Sequence, residues 1–321
     1  MAAILVLTGR DDLTSDAVVE ELVRRGEQVV RYDTADFPTA SHLAVSLTGD
    51  GWAGTLTGSR TVHLEDVKSV WWRRPNEFVT PADWPGHARA LAVSEARSGL
   101  LGVLGSLDVR WINHPAHDAA ANYKPRQLAV AARAGLDVPR TVITSDPDHA
   151  REFMGVDRVI YKGLGGGVLG PGGERRFLPV SLVGVDDVND GVAGTAHLFQ
   201  ENVDKAFEVR LTVIGDRMFP VAIHAGSEAA RLDWRTDYRS LSYAPVTLPS
   251  EVEKGVRRLL DELGLFFGAL DFAITPEGRW KFLEVNPNGQ WHWIAVKVGI
   301  PLVAAMADAL QDALQEGAAC P

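Results

Sequence analysis

An α/β chain that opens on a parallel sheet and continues as a mixed α+β half is the architecture this sequence predicts. Residues 3–7 (Ala3-Ile4-Leu5-Val6-Leu7) form a short apolar strand. A helical pattern of Val18, Val19, Leu22 and Val23 follows Ser15 and stops at Gly26, and residues 29–32 make the next strand. Such a β-α-β opening needs a crossover, and so implies parallel pairing. The remainder instead alternates hairpins with helices around a glycine-rich loop from Gly163 to Gly173.

The elements follow in order. Residues 42–47, 53–57 and 61–64 read as a small antiparallel meander with glycine turns. Residues 67–72 form a strand ending at Arg73-Arg74-Pro75, residues 82–104 are mostly helical, and residues 109–112 close a first domain at residue 115. A second unit, residues 116–200, contains a helix with Lys124 and residues 126–134, a strand at 140–144, a helix from Asp146-Pro147, and a strand at 158–162 entering the glycine loop. A third, residues 201–321, contains strands 208–214 and 217–223 joined at Gly215-Asp216, a helix at 251–263, two more strands, and a closing helix at 302–314.

With 321 residues, 46% hydrophobic and 23% charged, the chain can bury a large core. A net charge of −10 argues against a general nucleic-acid surface. No apolar run approaches the ~20 residues that span a bilayer, and the start lacks the basic region of a signal peptide. The single cysteine, Cys320, forms no intrachain disulfide and is badly placed as a nucleophile; a reducing cytoplasm is the expectation. The loop Thr8-Gly9-Arg10-Asp11-Asp12 lacks the dinucleotide fingerprint, and the loop after Lys162 is not a P-loop. His114 and His117 have no cysteine partners to make a zinc site. Trp71, Trp72, Trp291 and Trp293 read as packing residues.

Chemistry concentrates in the strand Lys281-Phe282-Leu283-Glu284-Val285-Asn286 and the apolar run interrupted by Asp271. Residues two apart on a strand share a face, so Glu284 and Asn286 point together, with Leu283 and Val285 toward the core. The turn Thr275-Pro276-Glu277-Gly278 joins the two runs. If Ile274 pairs with Arg279, Asp271 becomes a diagonal neighbour of Glu284. Two carboxylates and an amide suit Mg²⁺, which keeps water and phosphate as its other ligands. Lys162 enters a loop whose glycines (Gly165, Gly166, Gly167) let backbone amides approach phosphate. Alternation over residues 208–214 puts Glu208 and Arg210 on one face, with Val209, Leu211 and Val213 on the other. Gln200-Glu201-Asn202-Val203 follows a strand and can present main-chain groups to an adenine edge. Arg231 to Arg235 reads as a basic loop.

Taken in order, Lys124, Lys162 with its glycine loop, Gln200-Glu201, Glu208/Arg210, Asp271 and Glu284-Val285-Asn286 resemble the ATP-grasp superfamily. Trp71-Trp72-Arg73-Arg74-Pro75, Asp233-Trp234-Arg235 and Asn286-Pro287-Asn288-Gly289-Gln290-Trp291 resemble its ribosomal-peptide maturases, the graspetide (microviridin-type) macrocyclases. The resemblance implies an ATP-grasp fold behind a parallel-sheet pre-ATP-grasp domain. It implies ATP and Mg²⁺ as cofactors, a ribosomal precursor peptide as partner, and a homodimer. Lys124 and Lys162 would meet the α/β-phosphates and residues 200–203 the adenine. One of Glu201, Asp204 or Glu208 would take the ribose. Arg210 would lie near the γ-phosphate, with Asp271, Glu284 and Asn286 on Mg²⁺. Arg235 would contact the acceptor carboxylate, and Arg73, Arg74 and Asp233 the substrate peptide. The resemblance does not say how a leader segment docks; an exposed part of residues 175–180 is a candidate place. His224 departs from the pattern, which has an acid before Ser227. The implied reaction is phosphorylation of a peptide carboxylate, then lactam or lactone closure. The alternatives are a ligase of free amino acids or small metabolites, like glutathione synthetase, and a nucleotide sensor without catalysis.

Overall fold

A computed structural model of the chain describes residues 2–49, 51–155, 158–165, 168–169, 175–176 and 178–316. The opening is as expected: β1 (Ala3–Thr8), α1 (Leu13–Arg24) and β2 (Val29–Tyr32), with β1 and β2 parallel. Helix α1 starts one turn before its apolar pattern because the Asp12 carboxylate accepts from the Thr14 amide at 3.1 Å. Strands β3 (His42–Thr48), β4 (Gly51–Thr57) and β5 (Thr61–His63) make the antiparallel meander. Then β6 (Val67–Arg74) precedes α2 (Gly86–Ala96), a π turn and α3 (Gly102–Gly105), and β7 (Arg110–Ile112) follows. The parallel sheet has the order β2-β1-β6-β7.

Two short helices, α4 (Pro115–Ala121) and α5 (Lys124–Arg133), lead into the second sheet. Its elements are β8 (Thr141–Thr144), α6 (Pro147–Met154), β9 (Val159–Lys162), a separate two-stranded pair β10 (Val168–Leu169) and β11 (Arg175–Arg176), β12 (Ser181–Val183) and β13 (His197–Glu201). The order is β12-β9-β13-β8, all antiparallel. The third sheet comprises β14 (Phe207–Ile214), β15 (Arg217–Ala225), β16 (Leu241–Pro245), β17 (Phe267–Ile274) and β18 (Trp280–Asn286), in the order β16-β15-β14-β17-β18. Between them run α7 (Glu228–Leu232) and α8 (Ser250–Leu263), and α9 (His292–Val298) and α10 (Leu302–Glu316) close the chain.

Two expectations are corrected. Arg231–Arg235 is no loop: α7 runs to Leu232, and a short helical turn, Trp234–Thr236, is capped by Asp233. The β17–β18 register also differs, with Ile274 opposite Trp280 and a bulge between Asp271 and Phe272. The bulge brings Asp271 directly opposite Glu284 instead of diagonal to it, and Leu283 is the extra residue.

One face of the third sheet (Val209, Leu211, Val213, Leu270, Phe272, Phe282, Val285) packs on α8 and α5. Helix α10 does not stay with that layer. Its Leu302, Met306 and Leu310 are buried with Ile4, Val6 and Trp71 of the first sheet and with Ile214 and Phe267 of the third. The first and last segments of the chain thus share one core, which fixes the first sheet against the ends of β17 and β18.

Candidate active site

The side of the third sheet away from α8 carries the charge. Register places Arg210 of β14 opposite Asp271 of β17, and Asp271 opposite Glu284 of β18. One cross-strand row thus holds a guanidinium and two carboxylates. Arg210 Nε lies 3.0 Å from Asp271 Oδ1, out of line for a hydrogen bond, so the contact is chiefly charge on charge. From the turn after α7, Arg235 Nη2 reaches Asp271 Oδ2 at 3.0 Å and Glu284 Oε1 at 2.7 Å. Both guanidinium carbons lie near the Trp234 ring, at 5.3 and 5.0 Å from its centroid. The ring's negative face offsets part of their mutual repulsion.

The second sheet supplies the opposing wall of a cleft of ≈ 710 Å³. Lys162, at the end of β9, donates to Gln200 Oε1 at 2.8 Å, and Gln200 in turn donates to Thr141. Lys124, at the first turn of α5, reaches Glu284 Oε2 at 3.1 Å. Ile160, Ala273 and Leu283 make the apolar part of the lining. Leu283 belongs there because of the bulge, which removes it from the core position the alternation implied. The Glu201 and Asn202 amides are already bound to the carbonyls of Arg140 and Arg158, so Val203 is the first residue past the strand available to a base edge.

Burial and charge set the ionisation. Burial lowers Lys162 to about 8, against the opposing pull of Glu284. Burial pushes Asp271 up to about 6, although Arg210 and Arg235 pull it down. Burial also opposes ionisation of Glu284, but Lys124, Arg235 and Lys162 together hold it well below the usual carboxylate range.

The donor set fits a hard divalent ion. Asp271 Oδ2 and Glu284 Oε1 converge on a single cationic nitrogen of Arg235. Asn286 Nδ2 donates to Glu284 Oε1 at 3.3 Å, which leaves its carbonyl oxygen for a ligand role. Among the described residues no cluster of three or more Asp, Glu, His or Cys is arranged for a metal. Two acids and an amide are fewer than a full protein cage, as suits an ion that shares its shell with phosphates and water. On the anion side, Arg210 Nη1 is buried with no hydrogen-bond partner and Arg210 is not among the residues lining the cleft; a phosphate oxygen reaching it would supply that partner.

Most of the expected residues converge here: Lys124, Lys162, Gly165, Gln200, Glu201, Val203, Glu208, Asp233, Arg235, Asp271, Glu284 and Asn286 line the cleft. Gly166 and Gly167 lie outside the described residues, as does most of 170–177. Asp204 is exposed and not part of the lining, whereas Glu208 is buried and pairs with Lys205 at 2.5 Å. Asp233 is spent on local structure, its carboxylate accepting from the Arg235 amide at 3.1 Å. Arg73 is 1% exposed and engaged with Asp12 and Gln290, so its guanidinium is not open to a peptide, while Arg74 beside it is exposed. His224 is an exposed residue against the Phe207 ring, and Ser227 caps α7, which gives residues 222–227 a structural role.

Sequence reasoning missed Lys205, Gln127 and Asn113. Gln127 clamps β18 by accepting from the Val285 amide at 3.0 Å and donating to the Val285 carbonyl at 2.8 Å. Asn113 bonds the amides of Phe266 and Phe267 and the carbonyls of Phe267 and Pro287. Nothing local marks either one. Lys205 carried a weak signal, as a lysine three before Glu208.

Comparison with known proteins agrees with the geometry. Residues 3–119 match the family model of the MvdD pre-ATP grasp domain. No curated protein sequence matches the chain. Among solved structures, an ATP-grasp ligase associated with ribosomal-peptide modification from Chryseobacterium gregarium, in complex with ADP and a leader and core peptide, superposes with a TM-score of 0.88 at 27% identity, over 97% of each chain. The macrocyclase MdnC from Microcystis aeruginosa, bound with precursor peptide MdnA, gives 0.83 at 28% identity, over 97% of this chain and 100% of that one. MdnB of the same organism gives 0.81 at 29% identity, over 97% and 99%. Fold and site together define an ATP-grasp ligase. Within that class the chain resembles the graspetide maturases, as its tryptophan-arginine and Asn-Pro-Asn-Gly motifs implied.

Proposed function

We propose that the chain is an ATP-dependent carboxylate–amine or carboxylate–hydroxyl ligase acting on Asp or Glu side chains of a ribosomal precursor peptide. The observation that carries this reading is the row Arg210–Asp271–Glu284 with Arg235 and Lys124 on its carboxylates, and Lys162 on the opposing sheet of a nucleotide-sized cleft. The likeness to ligases and macrocyclases whose structures hold precursor peptides supports the substrate class.

The chemistry follows from the charges. A peptide carboxylate oxygen attacks the γ-phosphorus of ATP, the bond from that phosphorus to the bridging oxygen breaks, and ADP leaves. The peptide's own amine or hydroxyl then attacks the acyl carbon. Phosphate leaves with the bonding pair, the nucleophile gives up its proton, and the peptide has lost one water. Two anions must meet, so the cleft has to supply positive charge. Lys162 and Lys124, which line the cleft, would hold the phosphates, and Arg210 Nη1, buried without a hydrogen-bond partner, would meet the transferring group. Arg235 can exchange from the acids onto the acceptor carboxylate. Asp271, Glu284 and Asn286 would hold Mg²⁺, which offsets phosphate charge when bound. Val203 takes the adenine edge, with Glu201 or Glu208 at the ribose. Ring closure within one bound peptide gains from high effective concentration. A cytoplasmic location, which rests on the single cysteine, and a homodimer, which rests on the resemblance, are part of the proposal.

The test is incubation of purified protein, Mg-ATP and a precursor peptide encoded beside its gene. Loss of one water mass per crosslink is expected. Absence of any such loss, with ADP release stimulated by free amino acids instead, would transfer the chain to the small-molecule ligases.

A further inference from the structure

The turn that follows β18, Pro287 to Gln290, is held by side chains from outside its own sheet. Asn113 donates to the Pro287 carbonyl at 2.9 Å. Arg73 Nη1 donates to the Asn288 carbonyl at 2.8 Å and lies 3.3 Å from that of Gly289, and Arg74 Nε adds a bond to Asn288 at 3.0 Å. Three successive carbonyls are therefore fixed by two residues of the N-terminal sheet, Arg73 and Arg74, and by Asn113 just past its last strand. The Gln290 side chain is bound as well, by Arg73 Nη2 at 2.6 Å and Thr14 Oγ1 at 2.9 Å.

Arg73 is the costly member of this arrangement. Only 1% of it is exposed, and among the described residues its single acidic neighbour is Asp12, 3.0 Å from Nε in an ion pair out of line for a hydrogen bond. A buried guanidinium loses hydration that neutral carbonyls only partly replace. A core position beside Trp71 and Val70 would be filled more cheaply by an apolar side chain. What the arginine alone provides is a rigid fork that reaches several acceptors at once.

The turn is also packed tightly on the metal-binding strand. A Cβ added to Gly289 would stand 2.4 Å from the Cβ of Ala269 and 3.1 Å from that of Asn286. There is no slack between the turn and Asn286, so a displacement of one moves the other.

We propose that Arg73, oriented by Asp12, is a positioning residue. It locks the turn after β18 and through it sets the Asn286 amide that completes the metal site. The inference rests on the metal reading of Asp271, Glu284 and Asn286 but not on the identity of the peptide. Its test needs no substrate: ADP binding is measured calorimetrically with and without Mg²⁺. Arg73→Lys keeps the charge and loses the fork. It should leave Mg-free ADP affinity within about twofold and cut the Mg-dependent gain in affinity by about tenfold or more, as loss of outer-shell support does. Gln290→Ala, on an exposed side chain, should give a smaller loss of the same kind, and it carries the test if Arg73→Lys fails to fold. Equal losses with and without Mg²⁺ would show a purely structural brace, and an intact gain in the variants would show no role; either result overturns the inference. A wild-type protein with no Mg-dependent gain would overturn the metal reading and this inference with it. Failure of peptide cyclisation alone would touch neither.

Discussion

At the scale of single residues, Glu284 carries the heaviest load, since it answers to Lys124, Arg235 and Asn286 at once. Glu284→Gln keeps the shape and removes the charge, and is expected to cut peptide-dependent ADP release by at least about 10²-fold. Coupled-enzyme detection of ADP measures this, and near wild-type turnover would remove Glu284 from the site. Arg235→Ala should also lose on the order of 10²-fold, because the acceptor carboxylate then meets ATP without a compensating cation. Lys162 makes the pH dependence testable. Its ammonium is lowered to about 8 by burial, and a bound phosphate favours the charged form. Binding therefore takes up a proton above that pH, and ADP affinity should fall by up to about tenfold per pH unit as pH rises through 8. Lys162→Arg, always charged, should flatten the profile. The sign for stability is opposite. Between about 8 and the ordinary value of 10.5 the unfolded chain holds a proton the fold has released, so this group's penalty on folding shrinks as pH rises.

At the scale of elements, the β17–β18 hairpin shows how a small irregularity makes a site. Without the bulge, Asp271 would face Leu283, and the two acids would not share a row. The turn beyond it tolerates no added volume. Gly289→Ala places a methyl against Ala269 and Asn286 and should cost about 1–3 kcal/mol. Urea titration measures the stability, and Mg-dependent ADP binding should weaken in parallel. A fully active, equally stable variant would show that the turn yields more freely than its packing implies. Gln127 on α5 has a comparable part: its amide closes both ends of a bond pair with Val285, one residue from Glu284.

At the scale of the whole molecule, the cleft lies between two sheets while the N-terminal sheet stands behind the turn as its anchor. Helix α10, through Leu302, Met306 and Leu310, shares a core with Ile4 and Val6 of the first strand. Removing residues 302–321 should therefore unfold the N-terminal sheet as well, seen as loss of a single cooperative melting transition; a truncated chain with an unchanged melt would mean the N-terminal layer stands alone. The order of the chemical residues was legible in the sequence because strand alternation and glycine clustering are local properties. Arg210 with Glu208, and Glu284 with Asn286, follow from a period of two. Asp271, Lys124 and Lys162 acquired meaning only as an ordered series. The roles of Arg73, Gln127 and Asn113 were not legible, because their partners lie 215 or more, 158 and 153 or more residues away, apart from Gln127's bond to Ala121 and Arg73's contact with Asp12.

By itself the sequence determined the β-α-β opening, the face Glu208 and Arg210 share on β14, the face Glu284 and Asn286 share on β18, and the candidate acids and lysines that line the cleft. Such features depend on neighbours within a few positions of the chain. The tertiary structure alone decided the register of β17 on β18, the placing of Leu283 in the cleft, the burial of Arg73 and the seating of α10 on the first sheet. Those are outcomes of packing between segments far apart in the chain, where burial and charge compensation, and not local periodicity, select the arrangement.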